Sequence, residues 1–332
     1  AGNIIVDYLY PITGYPERGQ LTTIEDGCGK SVGGAVCNVG IDLKRLMPDT
    51  EICALGLVGD DDSGRYALSV MEDEGVNTSL VGKKGATSFT YVMSDKISRE
   101  RTFFQYRGAN AHFSEDSFNW DDIDCDLIHI AYILLLDELD KEDREYGTKM
   151  ARLLAHAKER GIKTSIDVVS ETGERFGRLV PPALRYTDYC IINEIEASRS
   201  TGIQLRAEDG ALIYENVKKV LSKLFELGVS EWAVIHSPEG GFGMDKDGDY
   251  AECGLVYTPS GFIKGKVGAG DAFCAGVLSA AHRGLSLLDA VKLGNAAATV
   301  SLRSPGATEA METIEETMRI CSELGFEPVK LN

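Results

Sequence analysis

Short apolar runs alternate with longer amphipathic stretches along most of the chain, beginning near residue 50. Runs rich in β-branched side chains predict strands, and apolar positions that recur every three to four residues predict helices. Strand–helix–strand alternation at this spacing predicts an α/β domain whose central sheet is mostly parallel and flanked by helices. The predicted strands are 51–59, 126–135, 163–169, 189–192 and 231–236, and the predicted helices are 63–74, 141–160 and 208–227.

Glycine recurs directly after apolar-periodic stretches of the chain. A helix commonly ends at a residue in the left-handed conformation, which glycine adopts without steric cost. We therefore predict that helices or turns stop at Gly75, Gly161, Gly202, Gly228 and Gly284.

Two stretches, 8–32 and 84–107, break this rhythm. The first is rich in Gly, Thr and Pro, and the second alternates polar and apolar residues as antiparallel strands do. We predict that they form a small β-sheet lid over a site on a single domain of residues 1–332. Because the exposed edges of a sheet can pair with another chain, a homodimer through this lid is the expected assembly.

Composition and charge narrow the classes of function. The 332 residues include 34 Lys and Arg against 52 Asp and Glu, a formal net charge of −18, which argues against a nucleic-acid partner. The longest apolar run, 127–136, is too short for a membrane helix of ~20 residues, and no signal-peptide pattern opens the chain. We therefore expect a cytoplasmic protein without a membrane partner. Eight Cys without a C-x-x-C pair predict reduced thiols.

Two known nucleotide-binding motifs are each incomplete in this sequence by one required residue. Residues 29–31 resemble the end of a P-loop, but the earlier glycine that this motif needs is replaced by Ile24. The dinucleotide-binding fingerprint fails at Val32 after one glycine pair and at Phe273 after another. These failures argue against a P-loop NTPase and against a dehydrogenase.

The strongest chemical candidate is the small-residue segment 267–276, which runs into a predicted helix. At a helix N-terminus, the backbone amides of Gly268, Ala269 and Gly270 would favour an anion. A carboxylate at the same place would repel a phosphate, so Asp271 needs a role such as accepting a proton from an attacking hydroxyl. The segment by itself leaves a second interpretation open, in which Asp271 is an N-terminal helix cap.

Several segments, in chain order, carry motifs of one family. They are 2–7, 33–38, 56–64, 193–196, 238–240, 268–271, 295–298 and 305–307. Together they resemble the PfkB/ribokinase family of carbohydrate kinases over essentially the whole chain. The resemblance implies a ribokinase-like three-layer fold and an enzyme that transfers the γ-phosphate of ATP to a hydroxyl of a sugar or sugar-like substrate. It also implies that Asp271 is the general base and that the amides of 268–271 form the anion hole.

The same resemblance assigns residues to each ligand. On the sugar side it implies Asp7, Gly33, Gly34, Asn38, Arg107 and Asp167. Arg107 by itself is equally well interpreted as a solvated charge on the lid. On the ATP side it implies Asn193, Ser237, Gly240, Asn295 and Gly306. It further implies that Asn193 and Glu196 hold Mg²⁺ through water.

One departure from the family pattern concerns the binding of a monovalent cation. Gly265 and Lys266 stand where relatives carry Asp-Thr, so the site for an activating monovalent cation is in question. Lys266 either supplies the missing positive charge or points into solvent.

The sequence leaves alternatives open for the acceptor molecule and for the activity. The acceptor stays open between a sugar, a sugar acid and a nucleoside. The alternative to a kinase is a sensor of the same fold that binds sugar or nucleotide with little or no catalysis, although the retained Asp271 argues against it.

Overall fold

A computed structural model describes residues 1–98, 100–169, 173 and 175–329. Its strands are β1 (Ile5–Ile12), β2 (Gly29–Gly33), β3 (Cys53–Val58), β4 (Asn77–Lys83), β5 (Phe89–Asp95), β6 (Arg101–Tyr106), β7 (Leu127–Ile133), β8 (Glu142–Asp143), β9 (Gly147–Thr148), β10 (Lys163–Val168), β11 (Tyr189–Asn193), β12 (Trp232–Ser237), β13 (Gly240–Asp245) and β14 (Tyr250–Gly254). Its helices are α1 (Ala35–Leu46), α2 (Asp62–Asp73), α3 (Lys149–Glu159), α4 (Phe176–Leu184), α5 (Glu194–Thr201), α6 (Val217–Leu227), α7 (Ala269–His282), α8 (Leu287–Ser301) and α9 (Ile314–Leu324).

The main sheet has the strand order β14-β13-β12-β11-β10-β7. Strands β7, β10, β11 and β12 are parallel, and β13 and β14 are antiparallel to them. Gly2 bridges Ala131 in β7 and Gly56 in β3, which connects the β3–β4 pair to this sheet. Because parallel strands end at the same edge, the carboxyl ends of β7, β10, β11 and β12 form one rim where ligands bind in α/β folds.

The two faces of the main sheet have separate hydrophobic cores. In β11, Cys190 and Ile192 pack into the core that includes residues of α3 to α6, whereas Ile191 packs into the core that includes residues of α1, α7 and α8. This alternation is what a sheet covered by helices on both faces requires. The predicted three-layer α/β fold is confirmed.

A second sheet, with the order β2-β1-β5-β6, is formed by the two stretches predicted as a lid. The pairs β1–β2 and β5–β6 are antiparallel, as expected, but β1 and β5 pair in parallel. The prediction was wrong on that point because local alternation indicates a strand and not the direction of its distant partner. Strand β6 is exposed along its whole length.

The predicted boundaries of two helices were wrong. Residues of 141–148 form the short β8–β9 pair, and α3 begins only after Thr148, whose hydroxyl accepts a hydrogen bond from the amide of Ala151 at 3.1 Å. Helix α6 likewise begins at Val217, after a turn in which Gly210 has a φ of 86°. In both places apolar periodicity extends through a turn that breaks the helix.

Three further sequence predictions can be compared with the structure. The glycines expected to stop helices or turns all have positive φ, between 65° and 123°. All eight cysteines lie within the described residues and are free thiols, as predicted. None of the helices that the described residues form combines the length and apolar character needed to cross a membrane.

Candidate active site

The amino end of α7 lies at the rim of the main sheet. Gly268, the residue before the helix, has a φ of 76°, and a Cβ on it would lie 2.6 Å from the Cβ of Ala307. Both the left-handed backbone and the close approach therefore require glycine. The amides of the first helical turn have no acceptor within the helix and carry partial positive charge, so an anion at 268–271 stays a prediction that this geometry allows.

Asp271 does not cap its own helix. The N-cap of α7 is Gly268, without a side-chain cap, and the Asp271 carboxylate instead accepts bonds from Asn38 Nδ2 at 2.9 Å and from the Tyr132 hydroxyl at 2.6 Å. Burial raises the pKa of Asp271, and these two hydrogen bonds oppose the rise because they stabilise the ionised form. The helix-cap interpretation is therefore wrong, and Asp271 is a buried carboxylate beside the first-turn amides of α7.

Two glycines before α1 make room for the sugar-side residues. A Cβ on Gly33 would lie 2.4 Å from Asp7 Oδ2, so a larger residue would displace that carboxylate. Gly34 has a φ of 82° and starts α1, which positions Asn38 one turn further on. Burial raises the pKa of Asp7, and a hydrogen bond with Thr90 in the next strand opposes the rise. The lid sheet thus holds a half-buried carboxyl group.

Arg107 follows the last lid strand and bonds to the segment after β7. Its Nη1 donates to the carbonyl of Leu135 at 2.9 Å, and its Nη2 lies 4.0 Å from Asp137 Oδ1. It is therefore neither a purely solvated charge nor a group aimed only at a ligand.

Asn193 and Glu196 form a capping box at the start of α5. Asn193 Oδ1 accepts from the amides of Ile195 and Glu196 at 2.9 Å each, and Glu196 Oε2 accepts from the amide of Asn193 at 2.9 Å. The Asn-x-x-Glu spacing is therefore explained first by the start of a helix. It also fixes the Glu196 carboxylate at the end of β11, on the rim.

Asp167, at the end of β10, lies near two other carboxyl groups. Burial raises the pKa of Asp167 well above its ordinary value, and the negative charges of Glu196 and Asp271 raise it further. A divalent cation would relieve this repulsion, and carboxylates with water are the ligands Mg²⁺ prefers. Among the described residues, no group of three or more His, Cys, Asp and Glu side chains could hold a metal ion.

The turn between β12 and β13 is tied to the start of α5. Ser237 pairs with Gly240 across the turn, and the Ser237 hydroxyl donates to Glu239 Oε2 at 2.8 Å. Arg206 is ion-paired with both Glu239 and Glu194, at 2.5 and 2.7 Å. Arg206 thus connects the expected ATP-side turn to the helix that begins beside Asn193.

Two other expected ATP-side residues have structural contacts. Asn295 Nδ2 donates to the carbonyls of Cys253 and Gly254 at 2.8 and 3.0 Å, which joins α8 to β14. The amide of Gly306 donates to Ser304 Oγ at 3.2 Å, in the loop that packs against Gly268. Both residues therefore have structural contacts in the fold, and their nucleotide role stays a prediction.

The departure at 265–266 has a steric cause. A Cβ on Gly265 would lie 2.6 Å from Pro305 Cα and 2.6 Å from the carbonyl oxygen of Ser304. A carboxylate-bearing residue therefore cannot stand at position 265 without moving that loop. The side chain of Lys266 is exposed, which favours the solvated interpretation over a fixed charge beside the anion site.

The structure brings part of the predicted set together and adds one residue. Asn38 bonds to Asp271, and Asp167 lies near both Asp271 and Glu196, whereas Arg107 and Asn295 bond to main chain. Sequence reasoning missed Tyr132, whose only signal was a hydroxyl-bearing side chain near the end of an apolar strand.

Comparisons with known proteins identify the family of the chain. The model of the pfkB family carbohydrate kinases matches residues 2–314. The 5-dehydro-2-deoxygluconokinase of Geobacillus thermodenitrificans is 24% identical over 303 residues, which cover 86% of this chain and 83% of the relative. The nucleoside kinase of Methanocaldococcus jannaschii is 24% identical over 322 residues, which cover 96% of this chain and 94% of the relative.

The fold is shared with solved kinases. The structure of Arabidopsis thaliana ribokinase complexed with ribose and ATP matches with a TM-score of 0.78 at 19% identity, covering 96% of each chain. Because the family model spans nearly the whole chain and the architecture agrees, this protein belongs to the pfkB family of carbohydrate kinases.

Proposed function

We propose that the protein transfers the γ-phosphate of ATP to a hydroxyl group of a small polyhydroxylated molecule, either a sugar or a sugar acid. The observation that carries this proposal is the environment of Asp271. Its carboxylate is buried, is held by Asn38 rather than by its own helix, and adjoins the first-turn amides of α7. A negative group beside an anion site destabilises bound phosphate unless it takes part in the chemistry.

In the proposed reaction, separate groups of this site act on the acceptor hydroxyl and on the transferred phosphate. Asp271 removes the proton of the attacking hydroxyl while the hydroxyl oxygen bonds to the γ-phosphorus. The bond between the γ-phosphorus and the β–γ bridging oxygen breaks, and ADP leaves with that oxygen. The amides of 268–270 stabilise the negative charge on the transferred group, which is the main requirement of phosphoryl transfer. Asp7 accepts hydrogen bonds from other hydroxyls of the acceptor, and the lid sheet that carries it excludes water that would otherwise hydrolyse ATP.

Mg²⁺ is the proposed metal, and Asp167 and Glu196 are the residues that would hold it through water. When bound, it would neutralise charge on the phosphates of ATP. The capping box fixes Glu196, and the buried position of Asp167 keeps a second carboxyl group beside it. On the nucleotide side, the turn of Ser237 and Gly240, together with Asn193, Asn295 and Gly306, is proposed to bind ATP.

The identity of the acceptor is tested by a panel, since the named relatives include a sugar-acid kinase, ribokinases and a nucleoside kinase. ADP formation from ATP and Mg²⁺ is measured with sugars, sugar acids and nucleosides. We expect acceptor-dependent ADP with at least one sugar or sugar acid, and its loss in Asp271→Asn. The matched control is Asp289→Asn, since Asp289 is an exposed first-turn carboxylate of the neighbouring helix α8.

Two results would contradict the proposal. Turnover restricted to nucleosides would replace the sugar acceptor with the nucleoside alternative. Saturable binding of ATP or sugar, with no ADP formed from any acceptor, would support the sensor instead of the kinase.

A homodimer through the lid is proposed as the assembly. Strand β6 is an unpaired edge of the lid sheet, and its Phe103, Phe104 and Tyr106 are 64%, 56% and 48% exposed. Unpaired edges with apolar side chains favour pairing with another chain. Light scattering after size-exclusion chromatography should give twice the 36.0 kDa mass of the chain. A monomer at micromolar concentration would contradict this assembly.

A further inference from the structure

The Tyr132 hydroxyl contacts the proposed base, and the reaction described above does not use it. Its oxygen lies 2.6 Å from Asp271 Oδ1, whereas Asn38 Nδ2 lies 2.9 Å from the other oxygen, Oδ2. Each carboxylate oxygen is therefore held by one donor from a different element, β7 in one case and α1 in the other. Two donors on opposite oxygens fix the plane of a carboxylate, which a single donor cannot do.

The chain reverses direction directly after Tyr132. The amide of Leu135 donates to the carbonyl of Tyr132 at 3.1 Å, which closes a tight turn. Leu134, the third residue of this turn, has a φ of 82°, a conformation in which glycine is ordinary and leucine is strained. The Leu134 side chain is fully buried in the core on one face of the sheet. Its burial explains why leucine stands there, and other contacts must hold the turn.

Three side chains form a clamp on this turn. The amide of Leu134 donates to Asp140 Oδ1 at 3.0 Å, and its carbonyl accepts from Arg175 Nη2 at 2.9 Å. The carbonyl of Leu135 accepts from Arg107 Nη1 at 2.9 Å. Two guanidinium groups on the successive carbonyls of Leu134 and Leu135, and a carboxylate on the amide that precedes both carbonyls, hold the turn in its strained conformation.

We infer that Tyr132 is a positioning residue that sets the orientation of the Asp271 carboxylate, and that Arg107 acts on the reaction through this turn and Tyr132. The inference rests on the proposed function. A general base must point its lone pair at the hydroxyl proton, and a small misplacement is costly to the rate. In the proposed reaction other groups bind the acceptor and ATP, so loss of the phenol should slow the chemical step and leave binding nearly unchanged.

The first test is Tyr132→Phe, with Tyr250→Phe as the matched control. The hydroxyl of Tyr250 also donates to a carboxylate oxygen at 2.6 Å, that of Glu252, at the far end of the main sheet. With the acceptor identified by the panel, Tyr132→Phe should lower kcat about 10- to 100-fold, the effect of losing a hydrogen bond to a charged group. The KM values for acceptor and ATP should stay within about twofold, and the control should match the wild type.

The second test is a double-mutant cycle with Arg107→Met, which removes the bond to Leu135 and keeps an unbranched side chain. Alone, Arg107→Met should lower kcat by roughly three- to tenfold. In the Tyr132→Phe background it should have almost no further effect on kcat, because its influence passes through the phenol. Equal melting temperatures of the variants within a few degrees would show that kcat does not report a general loss of folding.

The outcomes separate this inference from the proposed function. An active wild type, an inactive Asp271→Asn and an unchanged kcat in Tyr132→Phe would overturn the inference alone. A rise in acceptor KM in place of a fall in kcat would make Tyr132 a substrate-binding residue and overturn it as well. Multiplying effects of the two substitutions would overturn the role of Arg107. Absence of wild-type activity with every acceptor would overturn the proposed function, and this inference with it.

Discussion

Replacement of Asp271 by asparagine removes one proton-accepting group and little else. Asparagine has nearly the same shape, so its amide oxygen can accept the bond that Asn38 Nδ2 now donates at 2.9 Å. Its amide nitrogen can donate to the Tyr132 hydroxyl, which has free lone pairs. The carboxylate does not cap α7, so the helix start and the anion site should persist in the variant.

The expected loss of activity follows from this geometry. General-base catalysis contributes about 10²- to 10⁴-fold to a rate, equivalent to about 3–5 kcal/mol of transition-state stabilisation. We expect kcat of Asp271→Asn to fall within that range, and the KM for ATP to stay within a few-fold because the amides of 268–270 remain. The free energy of unfolding, in contrast to kcat, should stay the same or rise in this variant.

The stability change has a sign that the pKa shift dictates. Burial raises the pKa of Asp271, so the folded state binds its proton more tightly than the unfolded state does. The stability gained from that protonation is present below the unfolded pKa and is lost as the pH rises through the folded pKa. At neutral pH the ionised group therefore destabilises the fold, and Asp271→Asn should unfold at an equal or higher denaturant concentration than the wild type.

Coupled ADP assays on the true acceptor and urea denaturation at pH 7.5 give both quantities from one preparation. Asp289→Asn serves as the control for loss of a first-turn carboxylate. Turnover of Asp271→Asn above about a third of the wild-type rate would refute the assignment of the base. A severalfold loss of activity accompanied by marked destabilisation would instead indicate that Asp271 supports the fold.

Four further predictions concern other parts of the site. Asp7→Ala should lower kcat/KM for the acceptor by a factor equivalent to ~1–3 kcal/mol, with little change in the KM for ATP. An equal rise in the KM values for acceptor and ATP would contradict a role in binding the sugar. Gly268→Ala places a Cβ 2.6 Å from that of Ala307 at a φ of 76°, so kcat/KM should fall at least about tenfold, and wild-type turnover would show that the anion site tolerates movement. Burial raises the pKa of Asp140 to about 6, so above pH 6 the Asp140→Asn variant should be more stable to unfolding than the wild type by at most ~3 kcal/mol. This gain should vanish near pH 4, and urea titrations that show the same difference at pH 4 and 7.5 would refute the prediction. Activity in K⁺ and in a bulky organic cation at equal ionic strength should agree within about fivefold, and the exposed Lys266 should be replaceable by Ala without loss; stronger K⁺ activation would show that a cation site persists.

Patterns within a few residues of one another predicted much of the fold. The predicted strands 163–169 and 189–192 agree with two central strands to within a residue or two, because both stretches are rich in the β-branched or apolar side chains that favour a strand. Glycines such as Gly161 marked turns correctly, since only glycine takes positive φ without strain. The starts of α3 and α6 were predicted too early, because amphipathic periodicity continued through the turns before Thr148 and Val217.

The sequence by itself determined which chemistry is available and roughly where it lies along the chain. Asp271 after three small residues, the glycine pair at 33–34 and Asn193 three residues before Glu196 were all visible as local spacings. The tertiary structure decided what each does, because burial and hydrogen-bond partners come from residues far apart in the chain. Asn38 and Asp271 are separated by 233 positions, and Tyr132 by 139 from the same carboxylate. No local pattern encodes such a contact, so only the packing of β7 and α1 against α7 distinguishes a carboxylate held by distant donors from a helix cap.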